Sequence, residues 1–221
     1  MAKKIYLSPS EQPENMYAYG NTNEKVQCCK ISVVTAAALK RHGFEVLDTK
    51  LTTLSARCKE SDQWGADLHV PIHTNAYNNT VSGTRIMCYS LSGEGYKASK
   101  AVFNALAPIT PGKSENVSAA PGLYEIKHPK APTVYIEVDF HDVPDIAKWI
   151  IEHTEEIGEA ICKGICNYYG VEYKAPAVEE PIEDVLYKVQ VGAFRNRSNA
   201  ENLENKLKAL GFDAFIVKVN K

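Results

Sequence analysis

The chain has 221 residues, of which 44% are hydrophobic and 24% are charged, so it is long enough for one domain of moderate size and a small addition. Its formal net charge of −2 offers no strongly basic surface for nucleic acid or for an anionic membrane. No apolar run reaches the roughly 18–20 residues that cross a bilayer, which argues against membrane insertion.

Predicted strands and helices alternate along the first three-quarters of the chain. We expect strands at residues 3–7, 44–49, 66–76, 83–90 and 133–141, and helices at residues 24–42, 54–65, 93–106 and, as one or two helices, 144–169. This alternation predicts an α/β fold in which helices flank a central, mostly parallel sheet.

The composition changes after residue 171. Residues 172–185 contain two prolines and five acidic residues with little to bury, which is typical of a linker. A strand at 186–194, a helix at 198–209 and a strand at 213–219 are then expected. We therefore predict domains at 1–171 and 186–221, the second a small β-α-β unit that has to pair with something because it cannot bury a core alone.

Cysteine usage and the amino-terminal residues indicate where the chain is made. None of the six cysteines forms a CxxC pair, so we expect buried or half-buried, reduced thiols rather than a disulfide framework or a structural zinc site. The stretch "MAKKIYLSPS" has two lysines without an apolar segment behind them. This favours synthesis in the cytoplasm without a signal peptide.

Three residues are candidates for chemistry at one edge of the predicted sheet. Glu24 opens a helix in "GNTNE", His73 ends a strand in "VPIHTN", and Glu137 lies in the apolar strand "VYIEVDF". Taken singly, Glu24 is explained by the helix dipole and His73 as a structural histidine. Glu137 is harder to explain by structure alone, because a buried carboxylate is costly unless it is paired or functional.

The segments "IHTNA", "GTRIMCY" and "APTVYIEVDF" carry a family resemblance. Over residues 3–170 the chain resembles the zinc-dependent N-acetylmuramoyl-L-alanine amidases of bacterial and phage cell-wall lysis. The resemblance implies hydrolysis of the amide bond between N-acetylmuramic acid and L-alanine in peptidoglycan. It also implies that Glu24 and His73 bind Zn²⁺ and that Glu137 is catalytic. Such a zinc ion leaves one position for water and lowers the pKa of that water.

Other residues near these motifs are candidates for contacts with the substrate. The resemblance places Asn75 beside the site, and His128 and His141 lie in the segments that flank the strand of Glu137. We interpret all three as substrate-binding residues.

The first metal-binding motif departs from the family. Family members typically read I-x-hydrophobic-D-P-G-H, whereas "IYLSPSE" contains no histidine. Aligning the two on Pro9 places Glu11 at the histidine position, with Gln12 beside it. Because a carboxylate oxygen is a common zinc ligand and a glutamine oxygen a rare one, we predict Glu11 as the third ligand. Gln12, a histidine from elsewhere, or no third protein ligand are the alternatives.

The tail resembles half of a SPOR repeat, a cell-wall-binding module, in "YKVQVGAF" and the segment that follows. The resemblance implies glycan contacts by Gln190, Phe194 and Arg195. It also implies that the half either forms a homodimer with the half of a second chain or packs on the catalytic domain. Peptidoglycan is the expected partner.

Two readings of the whole chain follow from these resemblances. The first is a phage endolysin or an autolysin that reaches the wall after lysis or release. The second is a catalytically inactive peptidoglycan-binding protein with the amidase fold, which the unusual first motif alone supports.

Overall fold

The computed structural model describes residues 2–114, 116–176 and 189–219. Contacts divide the chain into two units, Met1–Pro176 and Ala177–Lys221. Among the described residues, no helix has both the length and the apolar character needed to cross a membrane.

The described part of the first unit contains a six-stranded sheet with one antiparallel pairing. Its strands are β1 (Lys4–Pro9), β2 (Glu45–Asp48), β3 (Leu68–Asn75), β4 (Arg85–Cys88), β5 (Ser118–Ala119) and β6 (Tyr135–Phe140). They lie in the order β2-β1-β3-β6-β4-β5, and only β4 and β6 are antiparallel. The predicted α/β class with a mostly parallel sheet is therefore confirmed.

Helices cover the sheet and enclose the core. They are α1 (Glu24–Arg41), α2 (Leu54–Trp64), α3 (Gly93–Leu106), α4 (Tyr124–Lys127), α5 (Pro144–Glu152) and α6 (Thr154–Tyr169). Helix α6 packs between α1 and α3, and a Cβ atom added at Gly164 would lie 2.4 Å from Cα of Val102. A glycine at this position therefore allows α3 and α6 to approach closely.

The central strands are buried on both faces. All residues of β3 are buried except half-buried Asn75, and Leu68, Val70 and Ile72 are fully inaccessible. Of the six cysteines, Cys29 is half-buried and the other five are buried, which confirms the prediction of buried thiols.

The second unit contains α7 (Arg197–Ala209) between two extended segments. The Asn196 side chain accepts a hydrogen bond from the backbone N–H of Ser198 at 3.0 Å, which caps the helix. Residues 189–196 and 210–219 form no paired strand, and residues 186–188 of the predicted first strand lie outside the described part. Large apolar side chains on both segments, among them Val189, Phe212 and Phe215, are exposed.

Candidate active site

Glu24 is held at the start of α1 by the local sequence. The Asn23 side chain accepts a hydrogen bond from the backbone N–H of Val26 at 3.0 Å, so the helix begins at the next residue, Glu24. The backbone N–H of Glu24 donates to the carbonyl of Asn15 at 2.9 Å, which joins the helix start to the loop after β1. The Glu24 carboxylate is 1% exposed.

His73 and Glu24 form a buried pair. Nδ1 of His73 lies 2.8 Å from Oε1 of Glu24, and Asn15 donates from Nδ2 to Oε2 of Glu24 at 2.6 Å. Burial alone would raise the pKa of Glu24, but the contact with His73 and the hydrogen bonds from Asn15 and Ser10 together outweigh burial and lower it. Burial alone would lower the pKa of His73, but the hydrogen bond to Glu24 and nearby carboxylates raise it. The site therefore concentrates negative charge around one imidazole.

The sheet register places Glu137 beside this pair. In the parallel pairing of β3 with β6, His73 is the direct partner of Glu137. The pKa of Glu137 is raised to about 7, chiefly by burial and also by the charge of Glu24, against the opposing effect of His73 and Arg85. A carboxyl group with a pKa near neutrality suits general base catalysis.

Two buried atoms at the site lack hydrogen-bond partners among the described residues. They are Nε2 of His73 and Oε2 of Glu137. Buried polar groups are nearly always hydrogen-bonded, so these two atoms indicate a missing partner such as water or substrate beside the pair formed by Nδ1 of His73 and Oε1 of Glu24. The donor set of one imidazole and one carboxylate, with a second carboxylate nearby, fits a hydrolytic zinc site.

Glu11, the predicted third ligand, is engaged elsewhere. Its Oε2 pairs with Nζ of Lys25 at 2.8 Å, and its Oε1 lies 3.6 Å from Nη2 of Arg57. The neighbouring side chain reaches the site instead, because Nε2 of Gln12 lies 3.3 Å from Nδ1 of His73. The structure thus brings Glu24, His73 and Glu137 together with Gln12, while cations hold both oxygens of Glu11.

A buried arginine anchors the loop that carries these residues. Arg57, 1% exposed, donates to the carbonyls of Leu51 and Pro9, each at 2.7 Å, and to Oγ of Ser8 at 3.1 Å. It fixes the end of β1, where the loop to α1 begins.

His141 and Asn75 support the strand ends. His141 is 3% exposed, stacks on Tyr17 with 4.9 Å between ring centroids, and contacts Oγ1 of Thr74 at 2.9 Å. The carbonyl of Asn75 accepts from the backbone N–H of His141 at 2.8 Å, and its side chain accepts from the backbone N–H of Ala76. The burial of His141 favours a role in packing the strand end over contact with a polymer.

His128 is exposed on the short segment after α4. Its ring stacks on Tyr124 with 3.8 Å between centroids, and its Nδ1 contacts the carbonyl of the same residue at 3.0 Å. Of the three predicted substrate-binding residues, it is the most accessible.

The sequence analysis missed two residues that contact the candidate site. Tyr135 stacks on His73 with 4.8 Å between centroids, and its position two residues before Glu137 in a strand is a signal for sharing that face. Asn15 joins Gln12 to Glu24, and no motif in the sequence marks it.

A different group of possible ligands lies at the other end of α1. Atoms of His42, Cys162 and Cys166 all lie within 4.8 Å of one another. Nδ1 of His42 contacts the carbonyl of Ala38 at 2.8 Å, and its Nε2 accepts from the backbone N–H of Lys174 at 2.9 Å. Glu24 lies about 27 Å away along the helix, so this group is separate from the candidate active site.

Comparison with known proteins identifies the family. The N-acetylmuramoyl-L-alanine amidase family profile matches residues 11–167, and the SPOR domain profile matches residues 184–221. The chain belongs to the N-acetylmuramoyl-L-alanine amidase family. The resemblances drawn from both parts of the sequence are therefore confirmed.

Two curated relatives align along almost the whole chain. The sporulation-specific N-acetylmuramoyl-L-alanine amidase of Bacillus subtilis (strain 168) is 23% identical in an alignment 221 residues long that covers 97% of this chain and 84% of the relative. The N-acetylmuramoyl-L-alanine amidase CwlM of Bacillus licheniformis is also 23% identical, with the same coverage of both chains.

Solved amidase structures share the fold of the first unit. An N-acetylmuramoyl-L-alanine amidase from Clostridium difficile 630 superposes with a TM-score of 0.69 at 20% identity, over 76% of this chain and 97% of the other. The catalytic domain of CwlV from Bacillus (Paenibacillus) polymyxa var. colistinus superposes with a TM-score of 0.68 at 16% identity, over 78% of this chain and 100% of the other.

Family membership gives the amidase its function. It hydrolyses the amide bond between N-acetylmuramic acid and L-alanine in peptidoglycan, and so acts in cell-wall lysis. The match of residues 184–221 to the SPOR domain points to binding of peptidoglycan by the tail as well.

Proposed function

We propose that this amidase is zinc-dependent, that Glu24 and His73 bind the metal, and that Glu137 is the catalytic acid and base. The observation that carries the proposal is the convergence of Oε1 of Glu24 and Nδ1 of His73, 2.8 Å apart, next to the strand partner Glu137. Glu24 and His73 are buried and Glu137 is half-buried with one buried carboxylate oxygen, so their electrostatic interactions are stronger than they would be in water.

The three groups supply the parts that amide hydrolysis needs. Bound zinc would polarise the scissile carbonyl and lower the pKa of the attacking water. Glu137 accepts the proton that this water loses as its oxygen bonds to the carbonyl carbon of the lactyl group. It then returns the proton to the nitrogen of L-alanine as the C–N bond breaks, and the stem peptide leaves as an amine.

Metal removal tests the zinc dependence. We expect a chelator to abolish release of stem peptides from purified walls and added Zn²⁺ to restore it. His73→Ala should bind less zinc and stay inactive after zinc is added, because it lacks the imidazole ligand.

His153→Ala is the matched control, since His153 lies at the start of α6 and stacks on Trp149. It should keep wild-type zinc content and activity. Full activity of the wild type in chelator would contradict the proposal, and no activity under any metal condition would favour the inactive wall-binding alternative.

We propose that the tail binds glycan and pairs with the tail of a second copy, as part of an autolysin or endolysin that acts at the wall. The SPOR match and the exposed apolar side chains on both sides of α7 support this pairing. Gln190, Phe194 and Arg195 are exposed on the segment before α7 and are the proposed glycan contacts.

Sedimentation tests the pairing. We expect the full chain to sediment as a dimer and a chain ending at Pro176 as a monomer, because the exposed apolar segments would be buried only in the dimer. Triple replacement of Gln190, Phe194 and Arg195 by alanine should lower binding to purified walls. A full chain that is monomeric at high concentration would reject the paired tail.

A further inference from the structure

The loop between β1 and α1 brings an amide side chain to the candidate metal site. We infer that the side-chain oxygen of Gln12 completes this site with Glu24 and His73, and that Glu11 is a positioning residue for the loop. The inference rests on the proposed zinc dependence and assigns the ligand that replaces the missing histidine.

The hydrogen bonds around Nδ1 of His73 conflict with each other when Gln12 presents its amide nitrogen to that atom. This nitrogen faces Oε1 of Glu24 at 2.8 Å, which requires Nδ1 to carry a proton and donate it. It also faces Nε2 of Gln12 at 3.3 Å, which requires the same nitrogen to accept. One ring nitrogen cannot do both.

Turning the Gln12 amide removes the conflict and gives this point of the site the oxygen that a cation requires. Side-chain amide orientation is an assignment, and turning the Gln12 amide brings its oxygen to the position of Nε2. The three converging atoms are then an unprotonated ring nitrogen, a carboxylate oxygen and an amide oxygen, each with a lone pair for a metal. The turn replaces the hydrogen bond from Asn15 to Oε1 of Gln12 by a contact between two NH₂ groups, so the Gln12 amide has to move away from Asn15 as it turns. The bond from Asn15 to Glu24 remains.

The separations between these atoms suit metal ligands. Two donors, each about 2.1 Å from a tetrahedral zinc ion, lie about 3.4 Å apart. The Gln12 and His73 atoms are 3.3 Å apart, and the His73 and Glu24 atoms are 2.8 Å apart. Both separations lie within about 0.6 Å of the value expected for two ligands of one zinc ion.

Glu11 has a different task in the same loop. Its carboxylate is held by Lys25, one residue into α1, and by buried Arg57, which also binds the carbonyl of Pro9. These contacts connect the end of β1, the loop and the start of α1. Glu11 thereby fixes the backbone from which Gln12 extends to His73.

Metal affinity measured on the full chain tests the inference. The dissociation constant for zinc is determined by competition with a chromophoric chelator, and the absorption spectrum of the Co²⁺-substituted protein reports the ligand set. We expect Gln12→Ala to weaken zinc binding about tenfold or more and Gln12→His to strengthen it by a similar factor. Glu11→Gln should change the affinity less than Gln12→Ala does and should leave the cobalt spectrum unchanged.

Gln12→His keeps the test decisive even if Gln12→Ala unfolds. The inference would be overturned if Gln12→His bound zinc no more tightly than the wild type. It would also be overturned if Glu11→Gln lost zinc while Gln12→Ala kept wild-type affinity. If the wild type and all the variants bind zinc with equal affinity, the assignment of Gln12 is overturned but the proposed zinc dependence is not. Wild-type protein that binds no zinc overturns both this assignment and the proposed zinc dependence, and its activity on walls is measured separately.

Discussion

Glu137→Gln should lower the rate of stem-peptide release by about 10²–10⁴-fold, the usual contribution of a positioned acid or base. Glutamine has nearly the same shape and fits the same buried position, but it cannot take a proton from water or return one to the leaving amine. Zinc content should stay at the wild-type value, because the proposed ligands are on β3, α1 and the loop before it. The measurement is the initial rate of peptide release at saturating zinc.

Asp139→Asn is the matched control for Glu137→Gln. Asp139 lies two residues along β6, and burial raises its pKa to about 6. One of its oxygens accepts backbone hydrogen bonds from Gly83 and Phe140, each at 2.7 Å, which an asparagine oxygen can also accept. We expect near-wild-type activity. Equal losses in the two variants would mean that Glu137 acts through the packing of β6 and not through chemistry.

Arg57→Met should lower the free energy of unfolding by about 3–5 kcal/mol, the range seen when one partner of a buried ionic network is removed. Methionine fills much of the space but makes none of the hydrogen bonds to Leu51, Pro9 and Ser8. It also leaves Glu11 with one cation in place of two. Urea unfolding followed by circular dichroism measures the change.

Arg41→Met is the control for Arg57→Met. Arg41 makes a partly exposed ion pair with Glu159 at 2.7 Å, and such pairs contribute less than about 1 kcal/mol. If Arg57→Met lowered the free energy of unfolding as little as Arg41→Met does, the anchoring role of Arg57 would be contradicted.

The elements predicted correctly are those long enough to show a pattern. The predicted 24–42 helix is found as Glu24–Arg41, and the strand around "VYIEVDF" as Tyr135–Phe140. The strand Ser118–Ala119 and the helix Tyr124–Lys127 were missed, because two and four residues are too few to establish a period. The helix of the tail was predicted within one residue at its start.

The candidate site was predicted in part, for a physical reason. Glu24, His73 and Glu137 lie at the start of a helix or in strands whose positions the family motifs fix, and the structure brings them together. Which of Glu11 and Gln12 faces His73 depends on a loop whose course is set by Arg57 and Lys25. Ion pairs to residues distant in sequence leave no local pattern, so side-chain chemistry alone pointed to Glu11.

Analysis of the new chain ends in digested peptidoglycan identifies the bond that this amidase cuts. Purified walls are treated with zinc-loaded protein, and the products are labelled at free amines and at reducing sugars and then analysed by mass spectrometry. We predict stem peptides with a free amino group on L-alanine, intact glycan strands without new reducing ends, and no such products from Glu137→Gln. New reducing sugars, or free amines on other residues of the stem peptide, would show that a different bond is cut and would contradict the account.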